Sequence, residues 1–263
     1  MRDIDKKLFK AVEKNNLYKV IKLIKLGANA NIVDKWGYTP LHIAIAHGHT
    51  EIVSYLLEVA PDTAKKKDKQ GHTPLHIASI KGNTEIVSLL LAVAPDTTKE
   101  KDNDGWTPLH YASREGHTEI VSMLLKIAPE TAKEKNNVYW TPLHYASQGS
   151  RHTDTVSLLL KVAPDIAKKK DDRGIIPLHL ASYWGNTKTI FLLLTVVPDT
   201  VNVKYENEKT PLYEATERYK KETIQILFST ISIRLETEIL STENLEIYKK
   251  YKDKKQPKEK YIF

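Results

Sequence analysis

Cysteine is absent from the chain, which excludes a disulfide framework and any thiolate-ligated metal site. Arginine is scarce: the basic residues are 34 Lys and 6 Arg. Arginine dominates where phosphates and base edges are gripped by paired hydrogen bonds. The net charge of +7 therefore does not by itself point to nucleic acid. Part of it is terminal, since residues 241–263 carry seven Lys against four acids and leave +4 on the rest. Long apolar runs are also missing. The longest, near 190–197, is broken by Thr195 and is too short to span a bilayer. The start, Met1 to Lys7, leads into a charged amphipathic segment without the apolar core of a secretory leader. These absences predict a cytoplasmic, intracellular protein, with export into a host cell as an effector the alternative. Catalytic signatures are missing too: there is no Gly-rich phosphate loop, nucleophile elbow or His-Glu-x-x-His. The adjacent acids Asp171 and Asp172 sit in a turn pattern and read as turn formers. No enzyme and no cofactor are expected.

What is present is a period. Thr-Pro-Leu-His occupies residues 39–42, 73–76, 107–110 and 141–144, followed by Ile176-Pro177-Leu178-His179 and Thr210-Pro211-Leu212-Tyr213. The steps are 34, 34, 34, 35 and 34 residues, the mark of stacked repeats. In residues 39–72, Thr39 is a good N-cap and Pro40 a good first helical residue. Leu41, Ala44 and Ile45 give a short helix one apolar face, which Gly48 ends. Thr50 is expected to cap a second helix with Ile52, Val53, Leu56 and Leu57 inward, stopped by Pro61. Asp68 to Gly71 signals a hairpin turn. Neither helix can bury its apolar face alone, so neighbouring units must supply the core.

The Thr-Pro-Leu-His start, the Gly-His-Thr-Glu-Ile-Val second helix and the Asp-x-x-Gly turn resemble the ankyrin repeat. A tetratricopeptide array shares the period, but its Trp, Leu-Gly, Tyr and Pro pattern is absent. The resemblance implies an all-α ankyrin-repeat solenoid of about seven repeats spanning 1–230. The first repeat covers about 5–34; internal repeats begin near 35, 69, 103, 137 and 172. A degenerate last repeat, about 206–230, has Glu208, Tyr213 and Tyr219 in place of the turn glycine, the motif histidine and the mid-repeat glycine. Each unit is one residue longer than usual for the family, and the extra residue falls where Ala-Pro (60–61, 94–95, 128–129, 163–164) replaces Gly-Ala. A helical C-terminal cap is expected over 231–251 and a flexible basic tail over 252–263. Capped ends predict a monomer.

Five histidines, His42, His76, His110, His144 and His179, recur one repeat apart. Successive copies lie roughly 10 Å apart, the spacing of packed helices, too far to share one metal. They read as structural, and no metal site is expected. Lysines at 65–67 and 168–170, with Lys99, Lys101, Lys133 and Lys135 in phase, form a basic stripe. It is either a solvated edge or an electrostatic site for nucleic acid or an anionic membrane.

The resemblance implies a concave groove lined by residues around the turn glycine and by the ends of the first helices. On it fall Trp36, Tyr38, His72, Lys81, Trp106, Arg114, Trp140, Arg173, Tyr183 and Trp184. Exposed aromatics beside arginine are the stuff of binding hot spots. A non-enzymatic protein-binding module using these ten residues is the expectation, with Trp106, Trp140 and Trp184 as apolar anchors. The alternatives are an adaptor whose C-terminal segment recruits other machinery, and electrostatic binding by the lysines. The fifth repeat has Tyr139 at the turn-glycine position and one inserted residue within 148–152; a partner-specific bulge and neutral drift both fit.

Overall fold

In the computed structural model of the chain, residues 1–235 are described. The expected cap beyond 235 and the tail over 252–263 lie outside them. Fourteen α-helices are present among the described residues, with no strand beyond one isolated bridge between Tyr205 and Lys209. They fall into two compact units, 1–137 and, among the described residues, 138–235.

The first unit holds α1 (Asp3–Glu13), α2 (Leu17–Lys25), α3 (Pro40–Ala46), α4 (Thr50–Val59), α5 (Pro74–Lys81), α6 (Thr84–Val93), α7 (Pro108–Glu115) and α8 (Thr118–Ile127). The second holds α9 (Pro142–Gln148), α10 (Thr153–Val162), α11 (Pro177–Trp184), α12 (Thr187–Val196), α13 (Pro211–Glu217) and α14 (Lys221–Leu235). Within each unit, first helices pack on first helices and second on second: α3 on α5 and α5 on α7, α4 on α6, then α9 on α11, α10 on α12. Leu41, Ala44 and Ile45 of α3 and Ile52 and Val53 of α4 are fully buried, as their spacing predicts. Burying each such large aliphatic side chain contributes roughly 1.5–3 kcal/mol.

The repeat start works as a reciprocal cap. Thr39 Oγ1 accepts the His42 N–H at 3.3 Å, and His42 Nδ1 accepts the Thr39 N–H at 3.1 Å. Proline follows at the position where a missing N–H costs nothing. At Ile176 the hydroxyl is gone, and only its backbone N–H to His179 Nδ1, at 3.2 Å, remains. The second helices begin one residue earlier than a Thr50 cap implies: Thr50 is already helical and His49 precedes it. Asn83 at the matching place accepts the Ile86 N–H at 3.0 Å on its side-chain oxygen.

The extra residue per unit has a structural home. The second helices α4, α6, α8, α10 and α12 each stop at a non-helical alanine or valine, and Pro61–Lys65, Pro95–Lys99, Pro129–Lys133, Pro164–Lys168 and Pro198–Asn202 form 3-10 turns. A buried threonine closes most of them, as when Thr63 Oγ1 donates to the Ala60 carbonyl at 2.6 Å. Where glycine is lost the backbone keeps its shape: Tyr139, Glu208 and Tyr219 have φ of 61°, 61° and 52°. The insertion in the fifth repeat leaves Gly149 at φ −84°, whereas Gly185 in the next repeat is at +75°.

Candidate functional site

The hairpins are built by a buried acid. Asp68 Oδ1 accepts the N–H groups of Gln70 and His72, both at 2.8 Å, and Asp102 Oδ1 those of Asp104 and Trp106, both at 2.9 Å. Neighbouring hairpins of the first unit then bond to each other. The Lys69 N–H reaches the Trp36 carbonyl at 3.0 Å, that of Asn103 the Gln70 carbonyl at 2.9 Å, and that of Asn137 the Asp104 carbonyl at 3.0 Å. This close approach demands glycine: at Gly71, φ +85°, a Cβ would stand 2.8 Å from the Asn103 nitrogen.

The motif histidines hold these hairpins to the helices. Because Nδ1 accepts a backbone N–H, Nε2 carries the proton and donates to a carbonyl of the following loop. His76 Nε2 reaches the Trp106 carbonyl at 3.0 Å and His179 Nε2 that of Val203 at 2.9 Å. Burial lowers both histidines to a pKa of about 4. Their rings are committed to the scaffold, and no cluster of three His, Cys, Asp or Glu able to hold a metal occurs among the described residues.

On the loop and first-helix face of the first unit, Trp36 is 53% exposed with Lys35 Nζ 4.1 Å above its ring. Trp36 and Tyr38 line a cavity of about 640 Å³ together with Phe9 and Ile43. Trp106 is half-buried, stacked at 4.7 Å on Tyr111, with the Arg114 guanidinium 5.1 Å from its ring. Arg114 also pairs with Glu115 at 2.7 Å. Lys81 is exposed at the end of α5.

His72 is not a free donor. Its Nδ1 lies 3.1 Å from Asp68 Oδ2, and its Nε2 lies 3.0 Å from the Tyr111 hydroxyl and 3.4 Å from Asp102 Oδ2. Tyr111 in turn donates to Asp102 Oδ2 at 2.6 Å. The contact with Asp102 raises the His72 pKa, against burial and with help from Asp68. Burial opposes ionisation of Asp102, but its bonds from His72, Tyr111 and two backbone N–H groups win and hold it at about 2. Burial and the same carboxylate push the Tyr111 phenol up.

In the second unit Trp140 is half-buried, 4.9 Å from Tyr145, and its indole N–H donates to Asp171 Oδ2 at 2.9 Å. Trp184 is 52% exposed, edge-on to Tyr183 at 5.2 Å. Arg218 bonds the Tyr183 hydroxyl and lies 4.2 Å above its ring. Trp140, Arg173, Tyr183 and Trp184 share one cavity of about 340 Å³.

Tyr111, Tyr145, Tyr205 and Arg218 are the participants the sequence did not single out. A signal existed for two of them: Tyr111 and Tyr145 each follow a motif histidine. Tyr205 lies at the edge of the decayed last repeat and Arg218 within it, where the period gives no guide.

The lysine stripe is largely neutralised one repeat away. Lys65 pairs with Asp96 at 2.8 Å, Lys67 with Glu100 at 2.7 Å, Lys101 with Glu134 at 2.7 Å and Lys168 with Asp199 at 2.8 Å. No helix among the described residues is long and apolar enough to cross a membrane.

A 64-residue stretch, 24% of this chain, is 42% identical to the 2-5A-dependent ribonuclease of Mus musculus and covers 9% of that protein. Another, of 55 residues and 21% of this chain, is 42% identical to protein phosphatase 1 regulatory subunit 27 of Mus musculus, of which it covers 36%. The human form of that subunit matches equally, 42% over 55 residues. The chain thus spans well under half of each relative. The family described as ankyrin repeats, in three copies, matches residues 8–101, 60–133, 94–170 and 126–204. That match agrees with the paired helices, the glycine hairpins and the histidine clamps, and the chain belongs to the ankyrin-repeat family.

Proposed function

We propose that the chain is a non-enzymatic binding module that holds a partner protein on its hairpin and first-helix face. Ankyrin repeats generally mediate protein–protein interaction, and one relative is named as a regulatory subunit. The carrying observation is where the large aromatics stand. The buried positions of the repeats are filled mainly by aliphatics, while Trp36 and Trp184 are exposed and Trp106 and Trp140 half-buried, with Arg114 over the Trp106 ring and Arg173 in the cavity of Trp140 and Trp184. Hairpins joined through their backbones present these groups rigidly, so little ordering entropy is lost on binding. Trp36 and Trp184 offer the most exposed area. Trp106 and Trp140 are half-buried, packed against Tyr111 and Tyr145, and offer less.

Pull-down from whole-cell extract tests this, using wild type and a Trp36→Ala/Trp106→Ala/Trp184→Ala variant of matched circular dichroism at low and high salt. Retention by wild type at high salt and loss by the variant is the expected result. Binding by both at low salt that vanishes from both at high salt overturns it in favour of the lysines.

The regulatory-subunit relative favours one elaboration, an adaptor that recruits further machinery through its C-terminal segment. Because α14 continues to Leu235, deletion of 236–263 rather than from 231 is the informative cut. An adaptor keeps its partner and loses the downstream effect.

A further inference from the structure

The cavity of the second unit has one-sided chemistry. Four aromatic rings wall it, those of Trp140, Tyr183, Trp184 and Tyr205, and Ile175 and Leu180 add aliphatic surface. Its volume of about 340 Å³ lies at the small end of ligand pockets, room for a side chain rather than a dinucleotide. Three cations surround it. Arg173 lines it, is exposed, and has no carboxylate partner among the described residues. Lys209 also lines it, with Nζ 5.9 Å from the Tyr205 ring and 5.5 Å from that of Tyr213. Arg218 covers Tyr183. The acid among the lining residues, Glu214, is buried and accepts the Tyr205 hydroxyl, so its charge is already engaged.

We infer that this cavity takes a large apolar or aromatic side chain from a partner segment that carries a carboxylate beside it. The inference rests on the proposed binding function and names the partner's chemistry. The aromatic walls supply contact area for the anchor. The planar guanidinium of Arg173 has the geometry to take a carboxylate on two parallel N–H bonds, and Lys209 adds a second positive charge. A cationic anchor is the wrong occupant: Arg218 and Lys209 already sit against the rings such a group would seek. The chain's own residues 252–263 have the wrong sign as well, with five Lys against two acids.

The test is selection of a random dodecapeptide display library on the full-length protein, followed by anisotropy titration of an enriched peptide. Enriched sequences are expected to place Phe, Tyr, Trp or Leu next to Asp or Glu. Arg173→Glu with Lys209→Glu is expected to abolish that preference, and Trp184→Ala to weaken the peptide roughly tenfold or more. All three positions are exposed or line the cavity, so circular dichroism and thermal unfolding should match wild type. Enrichment of basic peptides, or none at all, overturns the inference. So does displacement of the bound peptide by a synthetic peptide of residues 252–263. Peptides lost on Trp106→Ala but indifferent to the cavity variants overturn it while leaving the binding function standing.

Discussion

The Nε2 of His72 lies 3.4 Å from Asp102 Oδ2, so a loop imidazole of one repeat is tied to the buried turn acid of the next. With Asp68 at its other nitrogen, only the doubly protonated ring satisfies both sides. His72 is therefore expected to titrate above the ordinary 6.5. A group raised in the folded state stabilises below its unfolded value, and that contribution is lost as pH rises through the folded one. His72→Ala should cost roughly 1–3 kcal/mol in mildly acid solution, the range for stranding charged hydrogen-bond partners, and clearly less in alkaline solution. Urea unfolding at the two pH values, with an NMR titration of the ring, checks both parts.

His76 has the opposite sign. It is buried neutral with a pKa of about 4 against an ordinary 6.5, so the unfolded chain takes up its proton first as pH falls. Its contribution is complete above 6.5 and declines as pH drops toward 4. Wild type should therefore lose stability over that interval, with His42 and His179, which are shifted the same way, adding to the slope. His76→Gln should flatten the profile of the urea midpoint. His76→Ala, which strands the Thr73 N–H and the Trp106 carbonyl, should cost roughly 1–3 kcal/mol at neutral pH.

Tyr139 holds φ at 61° with an exposed side chain. A left-handed backbone costs a residue with a Cβ roughly 1–2 kcal/mol, and glycine occupies the matching places at Gly71 and Gly105. Tyr139→Gly is expected to stabilise by about 1 kcal/mol, read from the thermal or urea midpoint. An unchanged midpoint would show that the phenol returns what the backbone loses.

The ion pairs in and just after successive 3-10 turns, with Lys99 paired to Glu130 as Lys65 is to Asp96, give a prediction about binding. Exposed pairs of this kind add little, and each lysine in one is already matched. Replacing Lys65, Lys67, Lys99 and Lys101 by Gln together should leave partner capture unchanged in the pull-down. Loss of capture would return these lysines to the working surface.

The repeat and its core were legible because one constraint recurs: Leu41, Ala44 and Ile45 need the next unit to cover them, and the spacing says so. The 3-10 turns were half legible. Ala-Pro located the extra residue, but closure of the turn by Thr63 is a local hydrogen bond with no periodic apolar signal. The Thr50 boundary missed by one residue because His49, a poor cap on propensity, takes the position through the shape of the preceding Gly48 turn. At the site, position along the repeat did not tell how much of the Trp106 and Trp140 rings remains open. That depends on Tyr111 and Tyr145 beneath them. The last cavity was least visible, since Tyr205 joins its wall and Arg218 reaches Tyr183 only through folding of a repeat whose motif has worn away.

The bonds between hairpins carry a consequence for how such a surface can change. The carbonyls that tie the hairpins of the first unit together belong to Trp36, Gln70 and Asp104, three residues with nothing in common but their main chain. The scaffold's demand at these positions is met by an atom every amino acid has. Their side chains are thereby released from structural duty, and a lineage could rewrite the face residue by residue, exchanging ring for amide for carboxylate, while the frame that spaces them stays the same.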